Sequence, residues 1–144
     1  MRVLVCLDTL VMDSNYTIND VSVKKIRTWM EAGAEVEFIT KINKFLDLKK
    51  IDDVLKEAGL EGAKVHKKME DEKFQKVIEL INPHLFIDCQ GTLEEGVAIS
   101  EKFKPDYKLK RLILKSTDEI TRLPDLPEEL KEYVKEQSEV VVSE

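Results

Sequence analysis

RVLVCL, residues 2–7, with Asp8 directly behind it, is the stretch that decides the fold. An unbroken apolar run of this length is too short for a helix. It reads as a strand buried on both faces, which needs covering layers on both sides. It is also a poor signal peptide, because it lacks a long apolar region and small residues at a cleavage site.

Working outward, strand-like and helix-like segments alternate. A polar loop over Asp13–Thr17 follows the first strand. Val23, Ile26, Trp29 and Met30 then recur at helical spacing, with Asn19 or Ser22 as N-cap and Gly33 as the stop. Glu35–Thr40 (EVEFIT) is the second strand. Leu48, Ile51, Leu55 and Ala58 mark a second helix, capped near Asp47 and stopped at Gly59. Ala63–His66 reads as a short third strand. Phe74, Val77, Ile78 and Ile81 follow the i, i+3, i+4, i+7 pattern, and Asn82-Pro83 ends that helix. His84–Asp88 is a fourth strand, Thr92 with Glu95 a capping box, and Leu109–Leu114 a fifth strand. Pro127 suits the first turn of a last helix through Leu130, Tyr133 and Val134. Val140–Val142 reads as a final strand or an ordered tail.

This alternation predicts one α/β domain over residues 1–144. It would be a three-layer Rossmann-like fold, with a mainly parallel sheet and helices on both faces. The first strand should be central, flanked by the second and fourth. In such sheets ligands bind beyond the carboxyl ends of the strands. The residues to inspect are therefore Cys6-Leu7-Asp8, Thr40-Lys41 and Asp88-Cys89-Gln90.

Composition narrows the partners. Hydrophobic residues make up 42% and charged residues 36%, which excludes wholesale disorder. The formal net charge is −6 with no basic face evident, so nucleic acid is not expected. No apolar run approaches the roughly 20 residues of a membrane span. Two cysteines are too few for a disulfide framework, which points to a reducing cytoplasm. Oligomeric state is not legible.

The strand ends carry a resemblance. Val5-Cys6-Leu7-Asp8-Thr9-Leu10 resembles the opening motif of haloacid dehalogenase-type (HAD) hydrolases, a hydrophobic strand running into Asp-x-Asp-Gly-Thr-Leu. Aligned without a gap, Cys6 falls on the family's nucleophilic Asp and Asp8 on its general acid. WMEAGAEVEFIT, ending at Thr40, looks like the helix, turn and strand that end in a phosphate-binding Thr. Lys68 in KMEDEKF resembles the family's Lys motif, and LFIDCQ with Asp88 resembles the strand ending in metal-binding acids. LILKSTDEITRLP looks like the last strand and following helix. The resemblance runs over roughly the whole chain, and it rests on the order and spacing of these motifs together.

The resemblance implies a Mg²⁺-dependent phosphohydrolase, with Cys6 and Asp8 at the catalytic positions. Thr40 and Lys68 would then hold phosphate, and Asp8 and Asp88 the metal. Two departures weaken the chemistry. Magnesium prefers hard oxygen ligands, and Cys6 offers sulfur. No Arg-rich phosphate loop follows Cys6 to make it a thiol phosphatase, and Asp88 is followed by Cys89 rather than a second acid. Asp8 as substitute nucleophile would lack an acid two residues on, where Leu10 stands. Thr40 and Lys68 are 28 positions apart, which leaves no room for a folded cap.

The expectation is a capless HAD-like domain with weak or absent phosphatase activity that can still bind phosphate or a phosphorylated ligand. The rival is a non-catalytic interaction or regulatory domain of the same doubly wound class. Simpler roles stand beside each candidate. Cys6 and Cys89 read as buried fillers or as a redox-sensitive pair. Asp8 reads as a turn residue, Thr40 as a strand-end hydroxyl and Lys68 as solvated surface. His66 and His84 have no ligand partners at recognisable spacing.

Overall fold

Val3, Leu4 and Val5 have no exposed surface and pair on both sides, which makes their strand the middle of the sheet. The computed structural model describes residues 1–8, 10–13, 15–42, 44–67, 73–89, 110–114, 117–130 and 132. Among them the chain runs β1 (Arg2–Cys6), α1 (Asp20–Glu31), β2 (Glu35–Thr40), α2 (Phe45–Glu57), β3 (Val65–Lys67), α3 (Phe74–Ile81), β4 (Leu85–Cys89) and β5 (Arg111–Leu114). A 3-10 helix (Thr117–Arg122) and a helical turn over 127–130 follow. The strand order is β3-β2-β1-β4-β5, and every pairing is parallel. The architecture is α/β and Rossmann-like, with β1 central between β2 and β4 as the sequence predicts.

Alternation along β1 builds the two cores. Val3, Val5 and Leu7 face a cluster with Val23, Ile26 and Trp29 of α1 and Ile51 and Leu55 of α2. Leu4 and Cys6 face a second cluster with Ile39, Phe86 and Phe74, Val77 and Ile78 of α3. The α1 and α2 crossovers therefore lie on one face and α3 on the other. The strand order reverses between β1 and β4, the usual place for a ligand crevice. The 3-10 region is tied to α1, since Trp29 Nε1 donates to the Pro124 carbonyl at 2.8 Å and Lys25 Nζ to the Leu123 carbonyl at 2.8 Å.

Several boundaries differ from the sequence reading. Asn19 is the cap of α1, its side chain accepting from Val21 N and Ser22 N, while Ser22 is buried inside the helix. α2 begins at Phe45 rather than near Asp47. Its N-cap is Lys44, which makes no side-chain cap bond, and Asp47 stands at the third position of the helix. β3 starts at Val65, because its ladder with β2 begins at Phe38↔Val65. β1 ends at Cys6, and β4 runs Leu85–Cys89. Thr92 with Glu95, Leu109, Tyr133, Val134 and Val140–Val142 lie outside the described residues.

Candidate functional site

Beyond β1 the chain turns back at once. Val11 N and Met12 N both donate to the Leu7 carbonyl, at 3.1 and 3.2 Å, and Leu10 N donates to the Asp8 carbonyl at 2.8 Å. Leu10, Val11 and Met12 are buried, so Asp8 sits on a packed support rather than on a loose loop. A bridge between Met12 and Ile18 closes the excursion before α1.

From that support the Asp8 carboxylate reaches the end of β2. Thr40 Oγ1 donates to it, 3.0 Å from Oδ1 and 3.1 Å from Oδ2, and Lys41 N donates to Oδ2 at 2.9 Å. Thr40 Oγ1 in turn accepts from Ile42 N at 3.1 Å. Both residues are buried. Burial raises the Asp8 carboxyl above its ordinary value of 3.8. The Lys41 N–H, the Thr40 hydroxyl and the Lys41 charge oppose that rise without cancelling it.

The arrangement is a clamp between two strand ends. A threonine hydroxyl has one proton to give, and here it is given to Asp8. Thr40 can donate to a phosphate only after leaving Asp8.

Cys6 has no exposed surface and packs with Leu4, Ile39 and Phe86, and its Sγ lies 3.6 Å from the Asp8 carbonyl. This placement agrees with a packed residue. The β1–β4 register pairs Val5 with Ile87, so one step further it sets Cys6 against Asp88 rather than Cys89. The side chain of Cys89 lies outside the described residues, and the expected redox pair with it. Asp88 is fully buried and is not an unpartnered acid. Lys68 lies outside the described residues. The last residue of β3, Lys67, registers with Thr40. Cys6, Asp8, Thr40 and Asp88 thus come from the carboxyl ends of three adjacent strands, with the Asp8 carboxylate on the Thr40 hydroxyl and the Cys6 thiol on the Asp8 carbonyl.

The donor chemistry does not suit a resident Mg²⁺. Cys6 offers sulfur where the ion needs hard oxygen, and both Asp8 oxygens already accept from protein donors. Among the described residues no three His, Cys, Asp or Glu side chains gather as a metal site.

Other polar features escaped the sequence reading. His66 Nε2 lies 2.6 Å from Glu37 Oε1, and Arg2 Nε lies 3.2 Å from Glu37 Oε2. This chain lines a groove of about 730 Å³ bounded also by Val77, Leu80 and Ile81 of α3, away from the strand ends. Glu37 pairs with both basic groups, although the buried Arg2 Nε makes no hydrogen bond. Period-two alternation was the available signal, because Glu37 falls on the same side of β2 as Ile39. Near α2, Lys50 Nζ stands 4.5 Å from the centroid of the Tyr16 ring. No described helix is long and apolar enough to cross a membrane.

No protein-family model matches the chain, and no curated protein matches it. One solved structure, described as nitrogenase Cp1 at pH 6.5, is similar with a TM-score of 0.43 and 17% identity. The match covers 99% of this chain and 28% of the nitrogenase chain. A likeness that slight says nothing about chemistry, and the assignment to the α/β class stands on the parallel strand order itself.

Proposed function

We propose that the chain is a capless HAD-like domain with a disused phosphatase site, able to bind phosphate or a phosphorylated ligand and weak or inert in Mg²⁺-dependent hydrolysis. One observation carries this reading. The carboxylate best placed for chemistry, Asp8, is buried and clamped by Thr40 and Lys41. A nucleophile needs an exposed lone pair directed at phosphorus, and a phosphate ligand needs an uncommitted donor. The clamp holds the buried carboxylate against Thr40 and Lys41, which disfavours attack, while a phosphate can still displace Asp8 from those two donors. Strand order β3-β2-β1-β4-β5 and the gathering of Cys6, Asp8, Thr40 and Asp88 at one edge support the HAD-like part. The same clamp also supports the second reading, a non-catalytic interaction or regulatory domain that kept the fold and turned the site into structure.

Turnover of an aryl phosphate with Mg²⁺ tests the proposal. The expected rate is absent or far below the usual enzyme range of about 1–10³ per second, and Asp8→Asn should leave any residue of it unchanged. A rate within that range, abolished by Asp8→Asn, makes Asp8 the nucleophile and overturns the reading. Titration with inorganic phosphate, followed by amide chemical shifts of Thr40 and Lys41, separates the two readings. Saturable shifts favour the binding crevice, and none favour the interaction domain.

A further inference from the structure

Five large hydrophobic side chains are exposed among the described residues: Val21, Phe45, Leu46, Leu80 and Leu126. Of these, only Phe45 and Leu46 are neighbours in the chain, and they are the most exposed of the set, at 78% and 77%. They form the first turn of α2, directly beyond the end of β2. Neither does anything there for the helix. A hydrophobic staple would join the residue before the cap to the fourth helical position, which excludes the first two. The cap itself is Lys44, whose side chain can accept no hydrogen bond, so the leading N–H groups of α2 receive no side-chain cap. Ser, Thr, Asp or Asn would make a more stable start by about 1 kcal/mol. Local stability is thus given up at the one place among the described residues where an aromatic and an aliphatic side chain stand side by side in water.

The charge around the pair is equally local. Residues 41–50 read KINKFLDLKK, four lysines against one aspartate, in a chain whose net charge is −6. Lys41, Lys44, Lys49 and Lys50 are all exposed, and the acids Asp52 and Asp53 come only on the following turn. The positive end of the helix dipole adds to the same field.

We infer that Phe45 and Leu46, ringed by Lys41, Lys44 and Lys49, are a docking surface for an acidic protein segment that carries an apolar pocket or side chain. An aromatic anchor with a charged rim is the usual composition of such a contact. A membrane surface fits less well. The remaining apolar face of α2, Ile51 and Leu55, is spent in the core, which leaves too narrow an apolar face for interfacial insertion. The inference does not depend on what the strand-end crevice binds.

The test uses the full chain and a short fluorescent peptide of Asp and Glu interspersed with Leu and Phe, read by anisotropy. Its controls are the same peptide with Lys in place of the acids and vesicles of phosphatidylserine and phosphatidylcholine. Saturable binding of the acidic peptide is expected, weakening with added salt and absent for the basic one. Phe45→Ala with Leu46→Ala, and separately Lys44→Glu with Lys49→Glu, should each weaken it by about tenfold or more. Both pairs are exposed, so the fold tolerates them. No binding, equal binding by the variants, tighter binding to the vesicles, or self-association in sedimentation that these substitutions abolish would each overturn the inference. The last two would assign the surface to a membrane or to a second copy.

Discussion

Thr40 gives its hydroxyl proton to Asp8, a residue 32 positions earlier in the chain, and this bond joins the ends of two neighbouring parallel strands. The bond lies at the carboxyl ends of β1 and β2, the edge where a Rossmann-like sheet ordinarily keeps its polar groups available for ligand.

If the clamp is structural, its removal must cost stability. Thr40→Val keeps the shape and removes the hydroxyl, so Asp8 loses one donor and Ile42 N loses its acceptor. Leaving buried polar groups unsatisfied costs about 1–3 kcal/mol. Asp8→Asn should cost less, because an amide still accepts from Lys41 N and can donate to Thr40 Oγ1. Urea unfolding of both variants measures the difference. A silent Thr40→Val would mean that the bond is absent in solution.

Burial also sets how the clamp responds to pH. The folded chain holds the Asp8 proton more tightly than the unfolded chain, since its carboxyl lies above the ordinary 3.8. The stability contributed by the protonated acid is fully present below 3.8 and is lost as pH rises through the raised value. Other carboxylates respond on their own, so the quantity to follow is wild type minus Asp8→Asn. That difference should fall as pH rises above about 3.8 and then level off. A difference that grows over the same range would reverse the assignment.

Trp29 reports on a second junction. Its Nε1–H reaches the Pro124 carbonyl at 2.8 Å, and its ring is fully buried between α1 and the sheet. Trp29→Phe should cost about 1–3 kcal/mol from the orphaned carbonyl and lost packing. The chain has a single Trp, so wild-type emission should be blue-shifted and move to red in one step with the loss of circular dichroism. Red emission from the folded protein would contradict this burial.

Much of the fold was legible because it rests on local patterns. The apolar run over residues 3–5 located a strand covered on both faces, and Asn19 and Asn82 marked helix ends at the correct residues. α2 misled for a physical reason. Asp47 looks like a cap, yet it stands inside the first turn of the helix, while the true N-cap is a Lys that carries no capping signal. At the site, the sequence placed Asp8 and Thr40 at strand ends, but only the β1–β2 register turned shared location into a hydrogen bond. That bond makes the two residues partners in the fold as it stands, a relationship that neither strand end shows by itself. The Cys6–Cys89 idea rested on both residues ending adjacent strands. Continued one step past Val5 and Ile87, the register sets Cys6 against Asp88, a one-residue offset from Cys89, whose side chain lies outside the described residues, so the pair stays an expectation.

The same offset supplies the sharpest test of the family resemblance. Cys6→Asp places a carboxylate among Leu4, Ile39 and Phe86, one register step from the buried Asp88. An uncompensated buried charge costs about 3–5 kcal/mol, part of the roughly 5–15 kcal/mol expected for a chain of this size, so the variant should fold but melt early. A divalent cation bridging two facing carboxylates would return much of that loss. We therefore expect Mg²⁺ to raise the melting temperature of Cys6→Asp and to leave the wild type unchanged, with NaCl at equal ionic strength as control. Equal stabilisation of both proteins would mean that the native donors already hold the ion, against their chemistry as described. If Mg²⁺ stabilises neither, the position of Cys6 does not correspond to the family's nucleophile, and the HAD-like reading loses its register while the parallel fold remains.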